Sequence, residues 1–130
     1  MADRCVAAGG RTGRILIVED EMLIRELAAE DLTGAGFDVV CACSGDEALA
    51  VIEHDSDFDF LFTDIHMPGA VDGRELAVRA RARLPGLAVL YATGHADAIG
   101  ALAVNERCVD KPYVLEDVLQ LLASLRAGPR

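Results

Sequence analysis

Positive charge is scarce in this chain. Twelve lysines and arginines stand against 22 aspartates and glutamates, giving a formal charge of −10 and an isoelectric point near 4.6. Non-specific attachment to a phosphate backbone is driven by basic patches, so nucleic acid is not expected as a partner. Long apolar runs are also missing. None approaches the roughly 20 residues that a membrane-spanning helix needs, so membrane insertion is not expected. Cys5, Cys41, Cys43 and Cys108 lack CxxC spacing. Cys41 and Cys43 fall at strand positions i and i+2, on one face, and read as small reduced hydrophobes, because a C-x-C metal site would need further ligands nearby. There is no internal repeat and no low-complexity run. Met1 to Arg14 holds Gly9, Gly10 and Gly13 but no apolar core of a signal peptide, which points to a short flexible tail and cytoplasmic residence.

The 130 residues are 52% hydrophobic and 26% charged, enough for one domain with a core that needs neither disulfides nor a structural metal. Residues 1–13 read as an N-terminal tail, 14–126 as the domain and 127–130 as a C-terminal tail. Five short apolar segments alternate with helical patterns, the mark of an α/β domain with a parallel sheet and helices on both faces. The strands are expected over Ile15–Val18, Phe37–Ala42, Phe58–Thr63, Leu87–Ala92 and Cys108–Asp110. Leu23, Ile24, Leu27, Ala28 and Leu32 form a broad helical stripe ahead of Gly34 and Gly36. Ser44 and Glu47 have capping-box spacing, and Asp72-Gly73 opens a helix whose Leu76, Ala80 and Leu84 face inward. Ala96 to Val104 predicts a short or mobile helix, with little bulk to bury. Leu115, Val118, Leu119 and Leu122 repeat at i, i+3, i+4 and i+7 on a closing helix.

Four of these strands end in groups capable of chemistry. Ile15–Val18 runs into Glu19-Asp20, the third strand into Asp64, the fourth into Thr93, and the fifth into Lys111. In a parallel sheet the carboxyl ends of the strands lie along one edge, so these groups converge in one crevice. Carboxylates gathered there repel one another unless a cation sits among them, and an all-oxygen donor set suits Mg2+. Asp20 and Asp64 read as direct ligands, with Glu19 acting directly or through water. A divalent ion would hold phosphoryl oxygens while a phosphoryl group passes to Asp64, with Lys111 as a point charge and Thr93 as a hydrogen-bond donor.

Val18-Glu19-Asp20-Glu21, Thr63-Asp64, Met67-Pro68-Gly69, Asp72-Gly73, Ala92-Thr93-Gly94 and Asp110-Lys111-Pro112-Tyr113 together resemble the receiver domain of two-component response regulators, over about Arg14 to Arg126. The resemblance implies a doubly wound, flavodoxin-like sheet in the order 2-1-3-4-5. It implies that Asp64 accepts a phosphoryl group from a histidine kinase or histidine phosphotransfer protein, and that Glu19, Asp20, Asp64 and the backbone carbonyl of His66 hold the metal. Thr93 becomes the phosphate-sensing hydroxyl and Lys111 the paired cation. The chain departs from the family where a switch Phe or Tyr commonly precedes the lysine by three positions, since Cys108 stands there. Tyr91-Ala92-Thr93-Gly94-His95 is similar to the so-called FAT GUY subgroup, the interval from Thr93 to Lys111 is short, and the loop from Gly69 to Gly73 carries an extra residue.

His66 and His95 lie two residues after Asp64 and Thr93, positions that in receivers flank the phosphoryl group and influence its hydrolysis; solvated loop histidines are the alternative. Tyr113 reads as packed against the last helix, and the arginines at 74, 79, 81 and 83 as a solvated face or a docking surface. The expected function is a stand-alone receiver, monomeric or weakly dimeric, that catalyses only its own phosphorylation and dephosphorylation and signals through an unidentified protein partner. Three rivals stay open: an aspartyl-phosphate phosphatase, although His66 stands where such enzymes typically carry a second acid; a nucleotide-binding doubly wound domain, although no G-x-G-x-x-G follows the first strand; and a segment cut from a hybrid kinase.

Overall fold

A computed structural model of the chain describes residues 13–94 and 99–126. In chain order the elements are β1 (Gly13–Val18), α1 (Met22–Gly34), β2 (Phe37–Ala42), α2 (Gly45–His54), β3 (Phe60–Asp64), α3 (Gly73–Arg83), β4 (Ala88–Thr93), β5 (Glu106–Asp110) and α4 (Leu115–Arg126). The five strands form one parallel sheet in the order β2-β1-β3-β4-β5, as the resemblance implies.

Strand side chains alternate between faces, and this alternation splits the core in two. On one face Leu16, Leu61, Val89 and Tyr91 pack against α2 and α3 through residues such as Ile52 and Leu76. On the other, Ile15, Ile17, Phe62 and Leu90 meet α1 and α4. The central strands β1, β3 and β4 are buried on both sides, which is why they read as unbroken apolar runs.

Local signals set the helix starts. Ser44 Oγ accepts the Glu47 N–H at 3.0 Å, and Glu47 reaches back to the Cys43 N–H, one residue before the cap. Asp72 caps α3 by accepting the Glu75 N–H at 2.9 Å.

The structure corrects several expectations. β1 begins at Gly13, inside the stretch read as tail. β3 begins at Phe60, because Phe58 leaves the ladder and packs under the Arg14 guanidinium, 4.6 Å from its ring centroid. β4 runs one residue further, to Thr93, and β5 starts two residues earlier, at Glu106. The stripe on α1 is only partly buried. Ala28 and Leu32 reach the sheet, while Leu23 and Leu27 are 70% and 61% exposed, since the stripe is wider than the surface α1 has to pack on. Between β4 and β5, residues 99–104 form no helix; the expected one otherwise falls on 95–98, outside the described residues. Cys41 is free and exposed on the edge strand β2, while Cys43, expected on the same strand face, lies just past the strand's end at Ala42 and is also free and exposed; Cys108 is free and half-buried, and Cys5 lies outside the described residues.

Candidate functional site

The sheet register aligns the strand ends. Val18 pairs with Thr63, Asp64 with Ala92 and Thr93 with Asp110, so Glu19, Asp64, Thr93 and Lys111 all stand where the ladder stops. Single backbone bonds extend the pairing just beyond it. The Ile65 N–H donates to Ala92 O at 3.2 Å, and the Lys111 N–H to Thr93 O at 2.8 Å. The Thr63 hydroxyl donates to the carbonyl of Asp64 at 2.9 Å.

Lys111 joins the acids. Its Nζ donates to Asp64 Oδ2 at 3.0 Å and to Glu19 Oε1 at 3.3 Å. Glu19 and Asp64 are buried, while Asp20 is exposed, and one carboxylate oxygen from each of the three lies within 4.8 Å of the others. The second oxygen of Glu19 accepts the Glu21 N–H at 3.0 Å, and Arg25 Nη1 donates to the Glu19 carbonyl at 2.8 Å. Burial pushes the Glu19 carboxyl above its usual range, against the opposing pull of the Glu21 N–H and Lys111. Burial would depress the Lys111 ammonium, but its hydrogen bond to Asp64 and the field of Glu19 outweigh that and raise its pKa. Tyr113 packs on Phe62 at 5.3 Å between ring centroids, and burial together with the Glu19 field pushes its phenol up to about 12.

Of the three clustered carboxylates, the buried Glu19 and Asp64 bond the one ammonium and Asp20 stays exposed, leaving excess negative charge at the site. A hard divalent cation fits that donor set of oxygens, and the exposed Asp20 gives it a path from solvent.

The sequence model of the response regulator receiver domain matches residues 15–123. The chain belongs to the response regulator receiver family. Among curated relatives of this receiver, response regulator protein FleR of Pseudomonas aeruginosa is 32% identical over 119 residues, covering 88% of this chain and 25% of FleR. Transcriptional regulatory protein TcrA of Mycobacterium tuberculosis is 32% identical over 121 residues, covering 89% and 47%. The receiver thus spans a quarter to a half of the length of these relatives. Among solved structures, the receiver domain of hybrid histidine kinase CckA superposes with a TM-score of 0.76 at 32% identity, covering 87% of this chain and 98% of that one. Response regulator protein TrrA of Thermotoga maritima, solved with Mg2+ and BeF, superposes at 0.74 with 30% identity, covering 86% and 97%.

The receiver brings together Glu19, Asp20, Asp64 and Lys111 as the sequence predicts, with the buried Thr93 at the end of β4. His66 is exposed in the loop after β3, and its ring is not part of the acidic cluster. His95 lies outside the described residues. Cys108 sits beside Tyr91 in the β4–β5 register.

Sequence reasoning missed the other side of the sheet. Arg74 and Arg81 are not a solvated face: Arg74 lies over the Tyr91 ring at 5.1 Å, and Arg81 Nη2 pairs with Glu106 Oε2 at 2.9 Å. Their spacing of i and i+7 puts both on one face of α3, which was the available signal. Arg79, by contrast, is exposed and bonds only along its own helix to Glu75. A second overlooked signal is that Lys111 is the sole lysine in the chain. The site uses a compact ammonium, able to bridge two acids, where every other fixed cation is an arginine.

Proposed function

We propose that Asp64 accepts a phosphoryl group from a histidine kinase or histidine phosphotransfer protein, in a Mg2+-dependent reaction, and that the chain acts as a phosphorylation switch or phosphate sink. The observation that carries this reading is the Lys111 ammonium held between Asp64 and Glu19 at one edge of the sheet. Glu19, Asp20 and Asp64, with the backbone carbonyl of His66, are the residues to hold Mg2+, which when bound supplies divalent charge to phosphoryl oxygens. The Mg2+ in the TrrA structure supports that choice of ion.

In the transfer, the Asp64 carboxylate attacks phosphorus as the donor's phosphorus–nitrogen bond breaks. Lys111 then has a phosphoryl oxygen to bond in exchange for Asp64 Oδ2, and Thr93 supplies a hydroxyl from the end of β4. The chain catalyses only its own phosphorylation and dephosphorylation. Next to Lys111, a groove of about 410 Å³ runs between α1 and α4, lined by Ile24, Leu27, Pro112, Tyr113 and Leu115. An apolar surface of that kind beside the acceptor favours a protein donor over a small phosphate ester. No helix among the described residues is long and apolar enough to cross a membrane. The reading assigns the chain to the cytoplasm, as a monomer or weak dimer whose output is contact with another protein.

Intact-mass measurement with a small phosphodonor and Mg2+ tests the reading. The expected result is the gain of one phosphoryl group, lost in Asp64→Asn. Uptake that persists in Asp64→Asn, or steady turnover of the donor without a phosphorylated protein, would overturn it.

A further inference from the structure

Glu106 is a buried carboxylate that the phosphoacceptor chemistry does not use. It opens β5, is 7% exposed, and draws three donors from three different parts of the fold. Its Oε1 accepts the Ala103 N–H at 2.9 Å, from the connection that precedes β5. Its Oε2 accepts Arg81 Nη2 from α3 at 2.9 Å and the Tyr91 hydroxyl from β4 at 3.0 Å. The Tyr91 ring is 1% exposed and carries the Arg74 guanidinium on its face.

Tyr91 lies two residues before Thr93 on the same strand, so both side chains project from the same face of the sheet. Its register partner on β5 is the small Cys108, which packs against the same core cluster as the tyrosine ring. The aromatic group missing from β5 is therefore replaced by one on β4, directly in line with the hydroxyl that senses phosphate.

We infer that the Tyr91–Glu106 hydrogen bond is a latch on the resting form: drawing Thr93 towards a phosphoryl group on Asp64 shifts the end of β4 and breaks it. Glu106 then reports the state of the site to Arg81 on α3 and to Ala103. This inference rests on the phosphoacceptor reading. An extended strand cannot absorb a displacement within two residues, and an O–H···O bond of 3.0 Å weakens steeply over a fraction of an ångström. The network is also incompletely satisfied. Arg74 Nη1 and Arg81 Nε are buried and find no hydrogen-bond partner among the described residues, so a rearranged network has bonds to gain.

A bond made in only one of two states changes the affinity of any ligand that selects the other state by the strength of that bond. Titration of the full chain with beryllofluoride and Mg2+, followed by backbone amide NMR, measures this. Tyr91→Phe removes only the hydroxyl and is expected to tighten beryllofluoride binding roughly three- to tenfold, the worth of one net hydrogen bond. Glu106→Gln, which keeps a weaker acceptor, should shift affinity the same way by less. A purely structural role would lower resistance to urea and leave beryllofluoride affinity unmoved, so equal or weaker binding by Tyr91→Phe overturns the latch. Should Tyr91→Phe fail to fold, Glu106→Gln decides by the same criterion. Wild-type protein that binds no beryllofluoride overturns the phosphoacceptor reading itself, and the latch with it.

Discussion

A side chain on Gly73 would have nowhere to go. Its Cβ would run into the carbonyl oxygen of Asp64 and lie 2.8 Å from Ile65 Cα, while the Gly73 N–H donates to Ile65 O at 2.9 Å. The first residue of α3 thus rests on the backbone of Asp64, and β3 and α3 can meet there only through a glycine. Gly73→Ala must push Asp64 out of register with Lys111; we expect a loss of about 2 kcal/mol in urea unfolding, the range of overpacked cores, together with loss of phosphoryl uptake. Full stability with normal uptake would mean that α3 can retreat freely. The acids divide their work differently. Asp20→Ala removes an exposed carboxylate from the acidic cluster and should weaken Mg2+ binding in a calorimetric titration; wild-type affinity would exclude Asp20 from the proposed metal site. Lys111→Ala removes a positive charge from among three acids, so it should impair phosphorylation more than it impairs Mg2+ binding.

At the scale of elements, the sheet is well determined, and the described residues 99–104 of the connection between β4 and β5 form neither helix nor strand. Of its described residues, Ile99 and Leu102 pack against the core, Ala103 is tied to Glu106, and Val104 is 65% exposed. Few apolar contacts and no helical hydrogen-bond ladder over 99–104 make this segment easy to open locally. We expect phosphorylation to order the stretch from Thr93 to Val104, whose residues 95–98 lie outside the described part of the chain, because Cys108 cannot swing as an aromatic ring would. Hydrogen exchange with and without beryllofluoride measures it. Unchanged protection across this stretch would mean that partners read the phosphoryl group on a rigid surface.

For the molecule as a whole, an excess of ten negative charges makes acid the informative perturbation. Burial alone would raise the Glu106 carboxyl, but the Ala103 N–H, Arg81 and Tyr91 outweigh it and hold its pKa below the ordinary 4.5. A carboxyl whose folded pKa is depressed contributes stability that is present above its unfolded value and is lost as pH falls through its folded value. The stability difference between wild type and Glu106→Gln, measured by urea unfolding, should therefore be largest near neutral pH and shrink below 4.5. A difference independent of pH would show that Glu106 stabilises by packing alone.

The order of the strands along the chain, the parallel sheet and the four strand ends that carry Glu19-Asp20, Asp64, Thr93 and Lys111 were legible in the sequence, because strand period and strand-end position are local properties, whereas the helix expected over Ala96 to Val104 is not formed over 99–104. So were the caps at Ser44 and Asp72, each a bond spanning three residues. What the chain by itself could not determine is which faces are covered. The α1 stripe looks fully buried until the limited area of its contact with the sheet leaves Leu23 and Leu27 in solvent. Arg74 and Arg81 on α3 look solvated until Tyr91 and Glu106 are found across from them, 10 and 25 positions away from Arg81 in sequence. Helix period predicts that Arg74 and Arg81 share a face, but the partner opposite that face is set by strand order and register. Those arise from packing the whole chain, and only the tertiary structure decides them.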